Sequence, residues 1–184
     1  MTVVGTRTTL ALGHEHRRWI IINAIVVTAF VNAALNATIA WVSSAGERSV
    51  PLVSIPLFQK ASTLTDTLGM LFVLPFLTTL LETASIRREQ GLGRLAPLRL
   101  GPAYARWLSR LPSRPLRRAA VFGLGCLVIL GPICALLLFG TDFGRIAQST
   151  FVLYMAIFGV SLGMVVTPLI AVAAMAERTL PETQ

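Results

Sequence analysis

Within a largely apolar sequence, the residues able to do chemistry fall into two short series. Thr28, Asn32 and Asn36 recur every four residues, with Ala40 next in line, so a helix carries them as one ridge. Ala29, Ala33 and Ala37 form a neighbouring ridge of small side chains, which lets another helix backbone come close. Asp66 follows Ser62 by one helical turn, with the hydroxyls of Thr63 and Thr65 beside it. Carboxylate, amide and hydroxyl oxygens are the ligand set for Na+ or for a proton-coupled site, because hard cations prefer oxygen and an intramembrane acid is paired or neutralised. Asp66, Asn32, Asn36, Ser62 and Thr28 are therefore the candidate polar site, with Asp66 at its centre. The competing reading makes Asn32, Asn36 and the hydroxyls interhelical glue, worth about 0.6 kcal/mol each.

Other motifs do not assemble. Gly159-Val160-Ser161-Leu162-Gly163 has the form of a hydrolase nucleophile elbow, but that motif needs a strand-to-helix turn and here it sits mid-helix. As a GxxxG, Gly159 and Gly163 instead mark a helix-packing face, within the protomer by default and across a dimer as the alternative. His14-Glu15-His16 lacks the HExxH spacing that puts two imidazoles on one helix face. Cys126 and Cys134, eight positions apart in one helix, are separated by roughly 12 Å and cannot form a disulfide with each other. With no nucleophile, base and orienting group on one side, the expectation is a non-enzyme with no cofactor and no metal.

Apolar spans must position these residues. The chain has 184 residues, 54% hydrophobic and only 13% charged, with a mean hydropathy of +0.73, values outside the range of ordinary soluble domains. Charge-poor stretches at about 19–42, 61–84, 119–140 and 151–176 are each long enough for a hydrocarbon layer of about 30 Å. A 24-residue first stretch is too long for a signal peptide, despite Ser43-Ser44-Ala45 after it. The second stretch is the least apolar and must take Asp66 or Glu82 toward the membrane. In this frame Asn36 and Asp66 both lie about 8 Å below the outer surface. Pro75, Pro132 and Pro168 fall inside helices and predict kinks. The fold class expected is all-α, one integral membrane domain over residues 1–184, a bundle of four transmembrane helices.

Net charge is +8, and nine arginines crowd the loop 86–118. The basic side stays cytoplasmic, so both termini and this loop lie there. Anionic lipid head groups account for the arginines, and no nucleic-acid reader motif accompanies them. Tyr104, Trp107, Leu108 and Leu111 fall at helical spacing and suggest a short amphipathic helix on the membrane surface, with an extended loop as the alternative. Thr67-Leu68-Gly69-Met70 with Pro75 echoes Ser161-Leu162-Gly163-Met164 with Pro168, by duplication or by chance.

Asp66-Thr67-Leu68-Gly69 and Leu74-Pro75-Phe76-Leu77-Thr78, together with Phe151-Val152-Leu153-Tyr154 and Val166-Thr167-Pro168-Leu169-Ile170-Ala171, resemble an uncharacterised family of small bacterial four-helix integral membrane proteins. The resemblance implies a multi-pass protein of the bacterial cytoplasmic membrane and carries no activity or site residue with it. The expected function is a small permease-like transporter of a cation or small solute, acting as a homo-oligomer. The alternative is a non-transporting subunit or scaffold that binds another membrane protein or anionic lipid.

Overall fold

A computed structural model describes residues 13–55, 62–98, 102–140 and 144–177. Four helices are long and apolar enough to cross a membrane: α1 (His14–Ser43), α2 (Thr63–Gly91), α4 (Pro115–Phe139) and α5 (Gln148–Ala176). Between α2 and α4 lies the short helix α3 (Pro102–Leu108). Helix α1 changes hydrogen-bonding pattern along its length, being α-helical over His14–Trp19 and Thr28–Ser43 with a π-helical stretch, Ile20–Val27, between them.

The arrangement is a row rather than a square. Helix α1 packs on α5, α5 on α2, and α2 on α4. The central pair, α2 and α5, accordingly buries Leu64, Leu71 and Ile86 from one helix and Phe151, Ile170 and Met175 from the other. The outer pair turns Phe30 and Trp41 of α1, and Val128 and Leu136 of α4, outward. In a chain of this hydropathy such faces are suited to lipid. Close packing of α4 rests on Gly123, where a Cβ would come within 2.8 Å of the Phe72 carbonyl oxygen.

Helix ends follow local chemistry. Ser62 caps α2, its hydroxyl accepting from the Thr65 N–H at 3.2 Å. Pro115 opens α4, where a missing N–H costs nothing. Gly93, at φ 70°, lets the Arg94 N–H reach back to the Glu89 carbonyl and close the end of α2. Each of Pro75, Pro132 and Pro168 lies inside a helix that continues through it.

Several boundaries differ from those read in the sequence. Helix α2 begins two residues later than expected and continues to Gly91, while α4 begins at Pro115, so both helices run into the arginine-rich segment. Apolar periodicity marks the lipid-crossing part of a helix, and arginines on a helix that projects into water do not interrupt its backbone hydrogen bonds. The segment between them folds under the bundle. Leu95, Leu98 and Leu108 are buried against Ala171, Ala173, Ala174 and Met175, and Leu111 packs at the edge. Leu98 N–H and Gln90 Nε2 both donate to the Met175 carbonyl at 3.0 Å, satisfying an acceptor left over at the end of α5. Helix α3 thus turns Leu108 toward the protein's own core and leaves Tyr104 exposed, rather than laying both on one outer face. The Trp107 side chain lies outside the described residues.

At the opposite end the loops meet in a two-stranded antiparallel ribbon that the sequence reading did not anticipate. Strand β1 (Ser49–Pro51) pairs with β2 (Arg145–Ala147), Val50 facing Ile146. Gln148 Nε2 ties the ribbon back to the Ser44 carbonyl at 3.1 Å. Three-residue strands carry too little periodicity to announce themselves.

Candidate functional site

Helix α1 presents its polar ridge to α5. Asn32 and Asn36 are both buried, and the Asn36 amide donates to the Asn32 carbonyl at 2.8 Å. Opposite them stand Gly159 and Gly163. A Cβ built at Gly159 would clash with the Asn36 amide, and one at Gly163 with Asn32 Nδ2. The GxxxG face and the asparagine ridge, separate in the sequence, are therefore the two halves of one interface, with each glycine vacating the space an amide occupies. Ala29, Ala33 and Ala37 flank this interface and are half-buried. Ala37 also borders a shallow cleft with Trp41, Gln148 and Val152.

On the other side of α1, a groove of about 330 Å³ separates it from α2, floored by Met155 of α5. Its walls are Val31, Leu35 and Ile39 on one side and Val73, Leu74 and Leu77 on the other. Asp66 closes the ribbon end, and Asn32 and Asn36 line the back. Asp66 also borders a second, polar cavity of about 380 Å³ shared with Ser43, Ser44, Glu47 and Arg145. It stands at the boundary between that polar mouth and the apolar groove.

The local geometry at Asp66 follows from where α2 begins. It is in the first turn, where the helix dipole favours a carboxylate. Counting from the helix ends Thr63 and Ser43, Asp66 lies about 5 Å inside α2 and Asn36 about 10 Å inside α1. Ser62 sits one turn before Asp66, and its hydroxyl is engaged by Thr65, with a 2.9 Å contact to Thr65 Oγ1 besides the cap. Among the described residues no cation lies within salt-bridge distance of Asp66. Arg145, across the polar mouth, donates Nε to Ser49 Oγ at 2.8 Å and is 3.8 Å from Glu47.

Thr28 is placed away from this groove mouth, near the arginine-rich end. Its Oγ1 lies 2.8 Å from the Asn23 carbonyl oxygen in the π-helical stretch and 3.3 Å from Glu82 Oε1. Glu82, only 9% exposed, was read in the sequence as one of two acids the second span could carry toward the membrane, but not as part of a site. The signal for it was present: a lone acid after Leu80 and Leu81, following Thr78 by one turn and preceding Arg87 by more than one. Arg118 was also missed, counted among loop arginines. It is 4% exposed, and its guanidinium donates to Thr83 Oγ1 at 3.0 Å and pairs with Glu177 at 3.4 Å.

Ser161 donates its hydroxyl to the Ile157 carbonyl one turn back in an unbroken helix. Among the described residues, no group of three or more His, Cys, Asp and Glu side chains comes together in a way that would hold a metal ion. Chemically, the arrangement offers an apolar trough with one carboxylate at its polar end. No protein-family model, curated protein or solved structure matches this chain.

Proposed function

We propose that the chain is a small permease-like protein of the bacterial cytoplasmic membrane, its arginine-rich end in the cytoplasm, that takes an amphipathic, positively charged solute into the groove between α1 and α2. The observation that carries this reading is the position of Asp66, with apolar walls on one side of it and a polar cavity on the other. Leu35, Val73 and Leu77 receive the hydrocarbon body, since each buried CH₂ contributes about 0.8 kcal/mol. Asp66 receives the positive charge near the water interface, where an unpaired carboxylate costs least. A volume of about 330 Å³ lies at the lower end of ordinary ligand clefts and suits a small solute rather than a whole two-chain lipid. Because α2 and α5 pack directly on each other, the groove lies at the protomer's periphery. A homo-oligomer is therefore the form in which transfer across the whole bilayer is expected.

Binding of tetraphenylphosphonium to the purified protein in nanodiscs tests the proposal. Asp66→Asn is expected to weaken binding at least about tenfold at unchanged folded yield, a loss of about 1.4 kcal/mol. Leu35→Trp, which fills the groove, is expected to do the same. A wild type that does not bind, or an Asn variant that binds equally well, removes the basis for this reading. Parallel loss of folded protein and binding would make Asp66 a structural residue.

The second reading, a non-transporting subunit or scaffold for another membrane protein or anionic lipid, draws on the exposed Arg88, Arg110, Arg114 and Arg117 at one end of the molecule. It expects reconstitution to depend on phosphatidylglycerol in the vesicle while tetraphenylphosphonium is not bound.

A further inference from the structure

Beyond the groove mouth, a second group of polar atoms is buried near the arginine-rich end. Glu82 Oε2, Asn32 Nδ2 and Thr167 Oγ1 come from three different helices, and none has a hydrogen-bond partner among the described residues. Asn32 and Thr167 meet at Gly163: a Cβ there would clash with Asn32 Nδ2, and Thr167 Oγ1 is 3.9 Å from the same point. Thr28, one turn before Asn32 on α1, reaches Glu82. Each such atom costs its full desolvation when left unpaired, so a group of them favours a ligand that supplies the missing contacts.

Thr28 has one hydroxyl proton and two acceptors within reach, the Asn23 carbonyl at 2.8 Å and Glu82 Oε1 at 3.3 Å, so Glu82 receives at most a shared donor there. Its other oxygen has no partner among the described residues. A buried carboxylate so poorly served is completed by a positive charge, either a proton on the carboxyl or a Na+ held with the Thr28 hydroxyl oxygen.

We infer that Glu82, with Thr28 and Thr167, forms an intramembrane site for a hard monovalent cation, H+ or Na+, separate from Asp66. Among the described residues no neighbouring group supplies that charge. On α1 the nearest cation is the exposed Arg18, ten positions before Thr28. On α5 the first charged residue is Glu177, which is paired with Arg87 and Arg118. On α4, Arg118 is held by Thr83 and Glu177. On α2, Arg87 faces Glu177 and Asp66 lies at the far end.

The test is a pair of melting series on the protein in nanodiscs: one across pH above about 6 in choline buffer, where Glu177 is ionised in folded and unfolded chain alike and adds no slope, and one exchanging choline for Na+ at fixed pH. A ligand bound only by the folded form raises its stability with the logarithm of ligand concentration. The wild type is expected to respond to at least one series, with Glu82→Gln losing that response and Asp66→Asn keeping it. Response to Na+ identifies the ion as Na+, and response to pH alone identifies a proton. Thr28→Val should move the midpoint by at least about threefold, the worth of one contact in a membrane interior. A wild type flat in both series overturns the inference, as does a Glu82→Gln protein that follows both wild-type curves. Should Glu82→Gln not fold, a Thr28→Val protein that follows both curves overturns it equally. No groove ligand is present, so this result and that with tetraphenylphosphonium are independent.

Discussion

Glu177→Ala is expected to destabilise the protein by about 3 kcal/mol, the low end of the cost of stranding a buried charge. The Arg118 guanidinium is 4% exposed, and once Glu177 is gone its remaining partner among the described residues is the Thr83 hydroxyl. Arg87 completes the cluster with a 2.6 Å pair to Glu177 from a half-exposed position. Burial alone pushes the Glu177 carboxyl up, but the Arg87 hydrogen bonds and the charges of Arg118 and Arg87 outweigh it and hold the group below the usual carboxylate range. The sign of the pH effect follows from that depression. The folded state holds the proton less tightly than the unfolded chain, so this stabilisation is fully present above the ordinary Glu value of about 4.3 and fades as pH falls through the lower folded value.

Thermal melts in mild detergent separate the components. Arg87→Ala, at a more exposed site, should cost no more than about 1 kcal/mol. Combining Glu177→Ala with Arg118→Met should recover most of the loss, because no uncompensated charge then remains buried. A Glu177→Ala protein that melts with the wild type would show that water reaches Arg118 freely and would end this account. Glu177→Gln should lack the acid-range component that the wild type has.

The parts of this architecture that were legible in the sequence are those written as long periodic signals. Four apolar stretches predicted four long helices, because a bilayer-length run of charge-free residues has few other uses. Pairings between helices were not legible, since each helix shows its small and polar residues without naming their partners. Thr28, Asn32 and Asn36 were recognised as one ridge facing Asp66, yet the ridge turns mainly to α5, where two glycines leave room for two amides. Asp66 was recognised by its charge. Glu82, placed within the second span, and Arg118, placed in the loop, were not singled out, because a charge near the end of an apolar run does not name its partners, and only the tertiary structure reveals them. Ser62, a hydroxyl at the right spacing for a site, also serves as the cap of α2, which the spacing alone does not announce.

Substitution at Gly159 or Gly163 should have the other large effect, and its form discriminates between two uses of a GxxxG. Were these glycines a contact with another protein, Gly163→Leu would release that partner and leave the protomer folded. In the structure the face is filled from within, so the new side chain meets Asn32 directly. The amide has little room to withdraw, because Asn32 is buried at this interface. Gly163→Ala is expected to cost about 1–3 kcal/mol, the usual range for overpacking, and Gly163→Leu more than that. The folded, monodisperse fraction after extraction and the melting temperature should fall together. Gly159→Ala should behave alike through Asn36. The decisive variant is the pair Gly163→Ala with Asn32→Ala, which removes the amide the new methyl would strike. Its two changes should be strongly non-additive, with a favourable coupling of at least about 1 kcal/mol. Simple additivity of the two losses would mean that the amide and the glycine do not share this space, and the α1–α5 interface would have to be drawn differently.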